Sequence, residues 1–590
     1  MNSPPEGTDI RLLKAYLRAE RRPLAGLSAV LVVAMLLPVA GPILLGGVVD
    51  DALAGRGVGV LIAGAGAFLV ITLVADALQL FITYAAVRLA WRIGNRLRQD
   101  LARHALGLDL TWHGGHSPGL LIERIDGDVE AIVRFSSTAV LNLLGNAVLL
   151  AGTLVASFVI EWRAGLLIGV VAAAAVAVMR RLRRAAVGAF DAEREVQANL
   201  YGDLEERLGG LEDLRANGAA DYVVHRLHTA SSKWWHIARR ASFLGDGAYA
   251  LAAATFSLGS VATLAFAISL NLQGQLSLGA TLALFRFAQM VRQPLESVAE
   301  QLTEFQRAIA GSRRAARLLA TRPALVDGPG TPLPSGPLAV EFDNVVFAYP
   351  DEPEQAVLDG VSLRLDPGTV LGIVGRTGSG KTSLGRLLLR FWDVTSGALR
   401  LGGVDLRQTT QAELRRRIGV VTQEVQILRA SLRDNLTLLG TVDAADARLW
   451  QVLTDVGLRD WSQALPHGLE TQLDGDLQLS AGQAQLLAFA RILLTDPGLV
   501  VLDEATSRLD PDTEELIGQA TGRVIQGRTV VIIAHRLETL DRVDEVAVMS
   551  DGTIVEHGPR RDLLANPDSR YRALRRGNAA VDHGAAPELA

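Results

Sequence analysis

Residues 371–382 read LGIVGRTGSGKT, and this stretch decides the fold of the C-terminal half of the chain. An apolar run typical of a buried strand leads into a glycine-rich turn that opens a helix. Such a turn lets backbone N–H groups curl around phosphate oxygens, and the helix start favours an anion. The alternative is a glycine-rich turn beside a surface lysine. The pattern predicts a phosphate-binding loop with these ligands: Gly375, Arg376, Thr377, Gly378, Ser379, Gly380, Lys381, Thr382 and Ser383.

Lysine is rare in this chain, which makes Lys381 informative. Among 58 basic residues, the only lysines are Lys14, Lys233 and Lys381. A planar guanidinium does not replace a compact ammonium beside a phosphate. We therefore predict that Lys381 contacts the β- and γ-phosphates of a nucleotide and that Thr382 binds Mg²⁺.

A second strand candidate, residues 499–504, reads LVVLDE and ends in two carboxylates. Charge at the end of such a strand lies at the carboxyl edge of the sheet, where ligands bind. We predict that Asp503 holds Mg²⁺ and that Glu504 is the general base for an attacking water. A strand that simply ends in acidic residues is the alternative.

The N-terminal half has the composition of a membrane domain. The chain is 49% hydrophobic and only 21% charged, and it contains no cysteine, which excludes disulfides and thiolate metal sites. Long apolar runs predict transmembrane helices, whereas a soluble helical domain rarely contains such runs. We predict six spans, within residues 26–49, 58–87, 139–160, 166–179, 248–270 and 276–290.

Basic residues flank these runs on one side. They cluster in the N-terminal segment, after the second run and after the fourth run, whereas the opposite loops hold little more than Arg56 and Arg163. The positive-inside rule therefore places both termini in the cytoplasm. Residues 11–22 suggest an amphipathic interfacial helix, with a solvated basic tail as the alternative.

The character of the chain changes near residue 321. Residues 321–337 are rich in Pro and Gly, as in a linker, and short β-branched runs then alternate with helical segments. We predict a helical transmembrane domain at 1–320 with six spans and long cytoplasmic extensions. An α/β nucleotide-binding domain at 338–576 and a disordered tail at 577–590 follow.

Further motifs carry a family resemblance. Residues 479–483 read LSAGQ and lie between the phosphate loop and the acidic strand. Together these motifs resemble those of ABC transporters of the exporter type, whose membrane and nucleotide-binding domains are fused. The resemblance implies that Ser480, Ala481, Gly482 and Gln483 contact ATP held by a second domain. It assigns Tyr349 to adenine stacking, Gln423 to Mg²⁺ and the attacking water, Asp510 to the D-loop and His535 to the γ-phosphate.

The resemblance also implies a function. It predicts ATP-driven export of an amphipathic small molecule, lipid or peptide, by a membrane protein of the bacterial inner membrane that binds no nucleic acid. Short coupling helices are expected near residues 113–119 and within residues 208–221. Two alternatives are an importer with the exporter fold, for example for siderophores, and a regulatory ATPase that transports nothing.

The sequence departs from the family pattern at the signature. The first of two usual central glycines is Ala481, and the usual basic residue after Gln483 is Ala484. Residues 474–478 are shortened and lack an expected glutamate. Because the phosphate loop and Glu504 are intact, the asymmetry favours one half of a heterodimer with a degenerate second site. A homodimer that tolerates alanine is the alternative.

Polar residues within the apolar runs are the remaining candidates. Asp76 and Arg286 lie inside predicted spans, where an ionisable residue is a functional candidate. A position near the membrane surface or an interhelical ion pair is the alternative. Asn142 and Asn146 share one helix face and either line a pathway or bond to a neighbouring helix.

Overall fold

A computed structural model gives the structure of the chain and describes residues 9–136, 140–473, 479–503, 511–534 and 537–582. The chain divides into two compact units. The first comprises Met1–Leu106 and Ser117–Thr321, and the second comprises Gly107–His116 and Arg322–Ala590.

The first unit is helical. In chain order, the helices up to residue 320 are α1 Asp9–Ala19, α2 Arg21–Leu53, α3 Val58–Leu106, α4 Leu110–Gly114, α5 Pro118–Ile122, α6 Asp128–Arg134, α7 Val140–Ile160, α8 Trp162–Gly209, α9 Leu211–Ala216, α10 Ala220–Leu272, α11 Leu278–Met290 and α12 Arg292–Ala320. Of these, α4 belongs to the second unit. The predicted interfacial segment is helical, as α1 and the start of α2.

Among the described residues, five helices are long and apolar enough to cross a membrane: α2, α3, α7, α8 and α10. The predicted count of six spans is not confirmed. The sixth apolar run forms α11, which has 13 residues. At about 1.5 Å per residue, α11 alone covers less than the ~30 Å apolar layer of a bilayer.

One end of α2 is bonded to the start of α11. Asp50 Oδ1 accepts from the backbone N–H of Gly279 at 2.7 Å, and its Oδ2 accepts from Ser277 Oγ at 2.6 Å. The backbones approach so closely that a Cβ on Gly279 would lie 1.9 Å from the carbonyl oxygen of Gly46. Only glycine permits this approach, as in other close helix contacts in membranes.

A buried carboxylate joins α6 to α12. Asp128 is only 4% exposed, and the Arg314 guanidinium donates to both of its carboxylate oxygens, with Nε 2.9 Å from Oδ2. The hydrogen bond to Asp128 raises the pKa of Arg314 above its ordinary value, although burial opposes this. Gly311, one turn earlier on α12, has no side chain to hold the two backbones apart.

The second unit contains two sheets. A four-stranded sheet has the order β2-β1-β4-β5, and a six-stranded sheet has the order β10-β9-β3-β8-β7-β6. The strands are β1 Val340–Ala348, β2 Ala356–Leu365, β3 Val370–Gly375, β4 Ser396–Leu401, β5 Val404–Asp405, β6 Ile418–Val421, β7 Leu499–Asp503, β8 Thr529–Ile533, β9 Glu545–Ser550 and β10 Thr553–Pro559.

The central strands are buried on both faces, which explains their continuous apolar sequences. Val370 and Val374 on β3 pack into one apolar cluster, whereas Leu371 and Ile373 between them pack into another. This alternation is the period of two of a strand. The predicted α/β architecture of the C-terminal half is confirmed.

Helices cover both faces of the larger sheet. The α-helices of this unit from residue 381 onward are α13 Lys381–Leu388, α14 Gln411–Arg417, α15 Leu432–Thr437, α16 Asp446–Asp455, α17 Arg459–Gln463, α18 Ala481–Thr495, α19 Pro511–Ile525, α20 Arg560–Ala565 and α21 Arg570–Asp582. Helix α21 includes residues 577–582 of the segment predicted to be disordered, and residues 583–590 lie outside the described part of the chain.

The first predicted coupling helix has different bounds. It is expected near residues 113–119, where the structure has two short helices, α4 Leu110–Gly114 and α5 Pro118–Ile122. The Asp109 carboxylate accepts from the backbone N–H of Trp112 at 3.0 Å and so fixes the N-terminus of α4. The second expected short helix, within 208–221, corresponds to α9.

We predict that Asp128→Asn lowers the melting temperature of the protein in detergent. The substitution weakens a hydrogen-bonded ion pair with Arg314, and such bonds to charged groups contribute about 1.5–3 kcal/mol. The matched control is Arg307→Gln on α12, the helix that carries Arg314. Arg307 forms an exposed ion pair with Glu304, and such a pair contributes little to stability. Equal shifts in the two variants by differential scanning fluorimetry would contradict the role of Asp128.

Candidate nucleotide-binding site

The predicted phosphate loop connects the end of β3 to the start of α13. A Cβ on Gly375 would lie 2.2 Å from the carbonyl oxygen of Met549, so this position has no room for a side chain. Gly378 and Gly380 have φ angles of +85° and +97°, which L side chains rarely adopt. A tight, left-handed turn therefore follows the strand, as the sequence predicted.

Lys381 is held beneath this turn. Its Nζ donates to the carbonyl oxygens of Gly375 at 2.7 Å and Arg376 at 2.9 Å, and the residue is only 5% exposed. Burial lowers the pKa of Lys381, while the nearby carboxylate of Asp503 opposes that effect. The ammonium is thus anchored at the loop and kept close to the acidic strand end.

The loop has unsatisfied polar groups that suit a phosphate. No side chain caps the N-terminus of α13, where the first helical N–H groups have no helical acceptor. Ser379 Oγ is buried and has no hydrogen-bond partner among the residues that the structure describes. Thr382 and Ser383 lie in the first turn of the same helix. The free N–H groups at the start of α13, together with the buried ammonium of Lys381, fit an anionic ligand.

The predicted adenine-stacking residue lies beside this helix. The Tyr349 hydroxyl forms a 2.9 Å hydrogen bond with Ser383 Oγ. The Tyr349 ring packs edge-on against Phe347 and Trp392, with centroid distances of 4.9 and 5.2 Å. Tyr349 is half-buried, so these contacts position an aromatic ring that remains partly accessible next to the phosphate loop.

Two predicted metal-site residues lie at one edge of the sheet. β6, β7 and β8 are parallel neighbours, and Val421 on β6 pairs with Leu502 on β7. Asp503 ends β7, and Gln423 follows β6 by two residues at the same carboxyl edge. β3, which carries the phosphate loop, lies on the other side of β8 and runs parallel to it. The topology therefore gathers Lys381, Asp503 and Gln423 at one edge.

The predicted signature segment caps α18. Ser480 Oγ accepts from the backbone N–H of Gln483 at 3.2 Å, and Gln483 Oε1 accepts from the N–H of Ser480 at 3.0 Å. This capping box leaves the serine hydroxyl hydrogen available to a ligand. Gly482 is buried, whereas Ala481 is exposed at the first helical position, so its methyl group lies where a ligand would approach the helix start.

Several predicted site residues lie outside the described part of the chain. These are the candidate base Glu504, the D-loop residue Asp510, the switch histidine His535 and the shortened segment 474–478.

The sequence missed a contact that joins segment 107–116 to the nucleotide-binding region. Trp392 Nε1 donates to Thr111 Oγ1 at 2.7 Å, across 281 residues of sequence. Asp109 Oδ2 accepts from the backbone N–H of Ala324 at 2.9 Å. Burial acts to raise the pKa of Asp109, but the N–H groups of Ala324 and Trp112 outweigh it and lower the pKa. No local pattern signals a pairing over such a separation.

A cavity of about 340 Å³ lies along this contact. Its walls include Thr111, Tyr349 and Trp392. Trp392 thus touches both the ring predicted to stack on adenine and the loop that bears α4. This places α4 one side chain away from the candidate nucleotide site.

Comparisons with known proteins agree with the motifs and the geometry. Residues 26–295 match the family described as ABC transporter transmembrane region, and residues 358–507 match the family described as ABC transporter. A fatty acid ABC transporter ATP-binding/permease protein of Mycobacterium bovis is 30% identical over 81% of this chain and 76% of its own length. The chain belongs to the ABC transporter family.

Two further comparisons concern length and fold. A multidrug efflux ATP-binding/permease protein of M. bovis is 33% identical over 80% of this chain, but the chain covers only 39% of that relative's length. A bacterial Atm1-family ABC exporter with ATP bound has a TM-score of 0.76 at 23% identity, covering 97% of this chain and 99% of its own. This ABC transporter therefore has the exporter fold.

Family membership establishes the general role of each half. The ABC transporter is an integral membrane protein, because its first unit matches the family's transmembrane region and contains five candidate spans. Its second unit is the ATP-binding ATPase domain of the family.

We predict that Lys381→Met weakens ATP binding by about tenfold or more, equivalent to at least ~1.4 kcal/mol. The substitution removes the buried ammonium that faces the phosphates. Lys233→Met is the matched control, because Lys233 is exposed on α10 in the other unit. Equilibrium binding of a fluorescent ATP analogue to the solubilised protein measures both variants. Equal affinity in Lys381→Met and wild type would exclude this lysine from the site.

We predict that Trp392→Phe loosens residues 107–116 without weakening ATP binding. Phenylalanine keeps an aromatic surface beside Tyr349 but lacks the N–H that donates to Thr111. Amide hydrogen exchange of peptides from 107–116 should increase. Trp461→Phe, a matched change on the opposite apolar cluster of the same unit, should leave that exchange unchanged. Unchanged exchange in Trp392→Phe would show that the bond does not hold the segment.

Proposed function

We propose that this ABC transporter uses ATP hydrolysis to move an amphipathic small molecule, lipid or peptide across a bacterial inner membrane. The observation that carries the proposal is the phosphate loop with its buried Lys381, on the same chain as five candidate spans. An apolar transmembrane unit is suited to compounds that partition into a bilayer.

We assign each residue of the site a role in hydrolysis. The N–H groups of the loop, with Lys381, bind and orient the β- and γ-phosphates, and Tyr349 stacks on adenine. Glu504 accepts the proton of the attacking water. Gln423 orients that water, and His535 contacts the γ-phosphate. Thr382, Gln423 and Asp503 supply oxygen ligands of the kind that Mg²⁺ prefers, and the metal would neutralise charge that develops on the phosphates.

Two chains are required in this mechanism. The helix start at Ser480 offers N–H donors to the ATP of a second chain, and the family resemblance assigns Asp510 to the D-loop. The exposed methyl group of Ala481 would crowd that ATP, while the chain's own phosphate loop lacks such an obstacle. We therefore favour a heterodimer in which this chain supplies the hydrolysing site and its signature caps the degenerate one.

Closure of the nucleotide-binding domains would reach the membrane unit through segment 107–116. The Trp392–Thr111 hydrogen bond and the Asp109 cap hold that segment to the ATPase domain. A movement of the domain is therefore passed to α4 without an intervening flexible linker.

Export is the direction that we propose, with the ATPase domain in the cytoplasm as the basic loops indicate. Import by the same fold is the second candidate, and a regulatory ATPase without transport is the third. ATP-dependent accumulation of a fluorescent amphiphile in inverted vesicles supports export. Depletion supports import, and neither result supports the regulatory role.

We predict that Glu504→Gln abolishes ATP turnover while ATP binding persists. The amide cannot accept the proton of the attacking water, but it has nearly the same size as the carboxylate. The measurement is phosphate release by wild type and variant in lipid nanodiscs. Normal turnover in Glu504→Gln would remove the assignment of Glu504 as the base.

The same assay tests the heterodimer. A well-folded wild type that binds ATP but does not hydrolyse it alone requires a second chain. Turnover by wild type alone, with Ala481→Gly no faster, would show that a homodimer is active and that alanine is tolerated.

A further inference from the structure

A groove of about 420 Å³ lies within the transmembrane unit, apart from the nucleotide site. Three regions of the chain line it: α2, α3, and the α11–α12 segment. Its volume falls within the range of about 300–1,000 Å³ for small-molecule pockets. The lining combines aliphatic and aromatic side chains with amides and two charged groups.

Two prolines and a glycine of α2 line this groove. Pro38 and Pro42 both lie inside α2 and line the groove. A proline at 42 provides no N–H for the carbonyl of Pro38, one turn earlier, and therefore leaves a backbone acceptor without its helical partner. Gly41 lies between the two prolines, and a Cβ there would be 3.3 Å from the ring of Phe68 on α3. Phe68 therefore packs over the glycine instead of being held away from it.

Two opposite charges line the groove. Asp76 on α3 and Arg286 on α11 are both exposed and both belong to the lining. By helix rise, Arg286 lies about 12 Å from the start of α11, and Asp76 lies about 18 Å from the first following arginine, Arg88. Both charges lie inside the apolar runs 58–87 and 276–290.

These charges do not neutralise each other. Among the described residues, neither Asp76 nor Arg286 forms an ion pair. The polar contact of the Arg286 guanidinium is a long one, 3.4 Å, to Gln289 Oε1. An unpaired charge inside the membrane is costly, and such residues mark ligand or ion pathways. Within the part of the chain that the structure describes, the alternative of an interhelical ion pair therefore finds no support for these two residues.

We infer that this groove binds a zwitterionic amphiphile. Its cationic ammonium lies against Asp76, and its phosphate or carboxylate lies on the Arg286 guanidinium, which suits planar oxyanions. Its apolar body lies along Leu37, Leu45, Phe68 and Ile71. Separated opposite charges in an apolar wall match a ligand with the same separation. The inference rests on the proposed transport function, for which it names the substrate class.

The test is equilibrium binding without ATP, to wild-type protein in maltoside micelles. The probe is radiolabelled dihexanoyl phosphatidylethanolamine, compared with dihexanoylglycerol, which has the same chains and no charge. We expect the zwitterion to bind at least about tenfold more tightly. A single-chain alkyl betaine replaces the phospholipid in a parallel arm. Tighter binding of the phospholipid identifies a bilayer lipid as the ligand, and tighter binding of the betaine identifies a soluble amphiphile.

Charge removal locates the site. Asp76→Asn and Arg286→Gln should each reduce zwitterion affinity at least about tenfold. The matched controls, Asp246→Asn and Arg88→Gln, remove exposed charges outside the groove and should leave the affinity unchanged. Unchanged affinity in both groove variants, or equal binding of charged and uncharged probes by wild type, overturns the inference. The uncharged comparison needs no variant, so it remains decisive if a substitution prevents folding.

The same preparations separate this inference from the proposed function. Without ligand, ATP binding is expected to be equal in wild type and the control variants Asp246→Asn and Arg88→Gln, since neither residue lies in the nucleotide site or in the groove. A wild type that binds no ATP but still binds the zwitterion overturns the transport function and leaves the binding site. An active wild type whose binding does not depend on the charge of the probe retains the transport function and overturns the inferred binding site.

Discussion

The contact of Lys381 with the carbonyls of Gly375 and Arg376 organises the ATPase domain. It requires the chain to turn back on itself directly after β3, and the turn requires glycine where a Cβ would strike Met549. The first N–H groups of α13 are thereby directed outward. Because β6, β7 and β8 run parallel to β3, their ends meet this turn at one edge. A single strand-to-helix connection thus lies at the same sheet edge as Asp503 and Gln423.

The membrane unit follows a different constraint. A bilayer offers no hydrogen bonds to a backbone, so spanning segments satisfy their N–H and C=O groups within helices. Departures from a regular helix are then confined to places where something replaces the lost bond or lines a cavity. The prolines of α2 at the groove are such a departure. By contrast, Asp50 links two helices because its carboxylate accepts both a hydroxyl and a backbone N–H at the start of α11.

Trp392 contacts both the candidate nucleotide site and the segment that bears α4. One edge of its indole contacts Tyr349, and its N–H reaches Thr111. A residue with no phosphate chemistry thereby connects the nucleotide environment to the loop that follows α3. The Asp109 cap serves the same loop, since its two oxygens bond to the start of α4 and to Ala324. The contacts that hold residues 107–116 to the ATPase domain are therefore made by side chains outside the sequence motifs.

The sequence by itself determined the elements whose physics is local. The apolar runs, the glycine spacing of residues 375–380 and the rare Lys381 predicted the phosphate loop, the α/β class and six membrane helices, of which five are long and apolar enough to span within the described residues. These depend on periodicity, φ angle and composition, which neighbouring residues set. Tertiary structure alone decided the contacts between distant segments. The Thr111–Trp392 bond, the Asp128–Arg314 pair and the shared groove of Asp76 and Arg286 join residues far apart in sequence. Their pairing depends on how helices and strands pack, and a single sequence without an alignment carries no local signal of that packing.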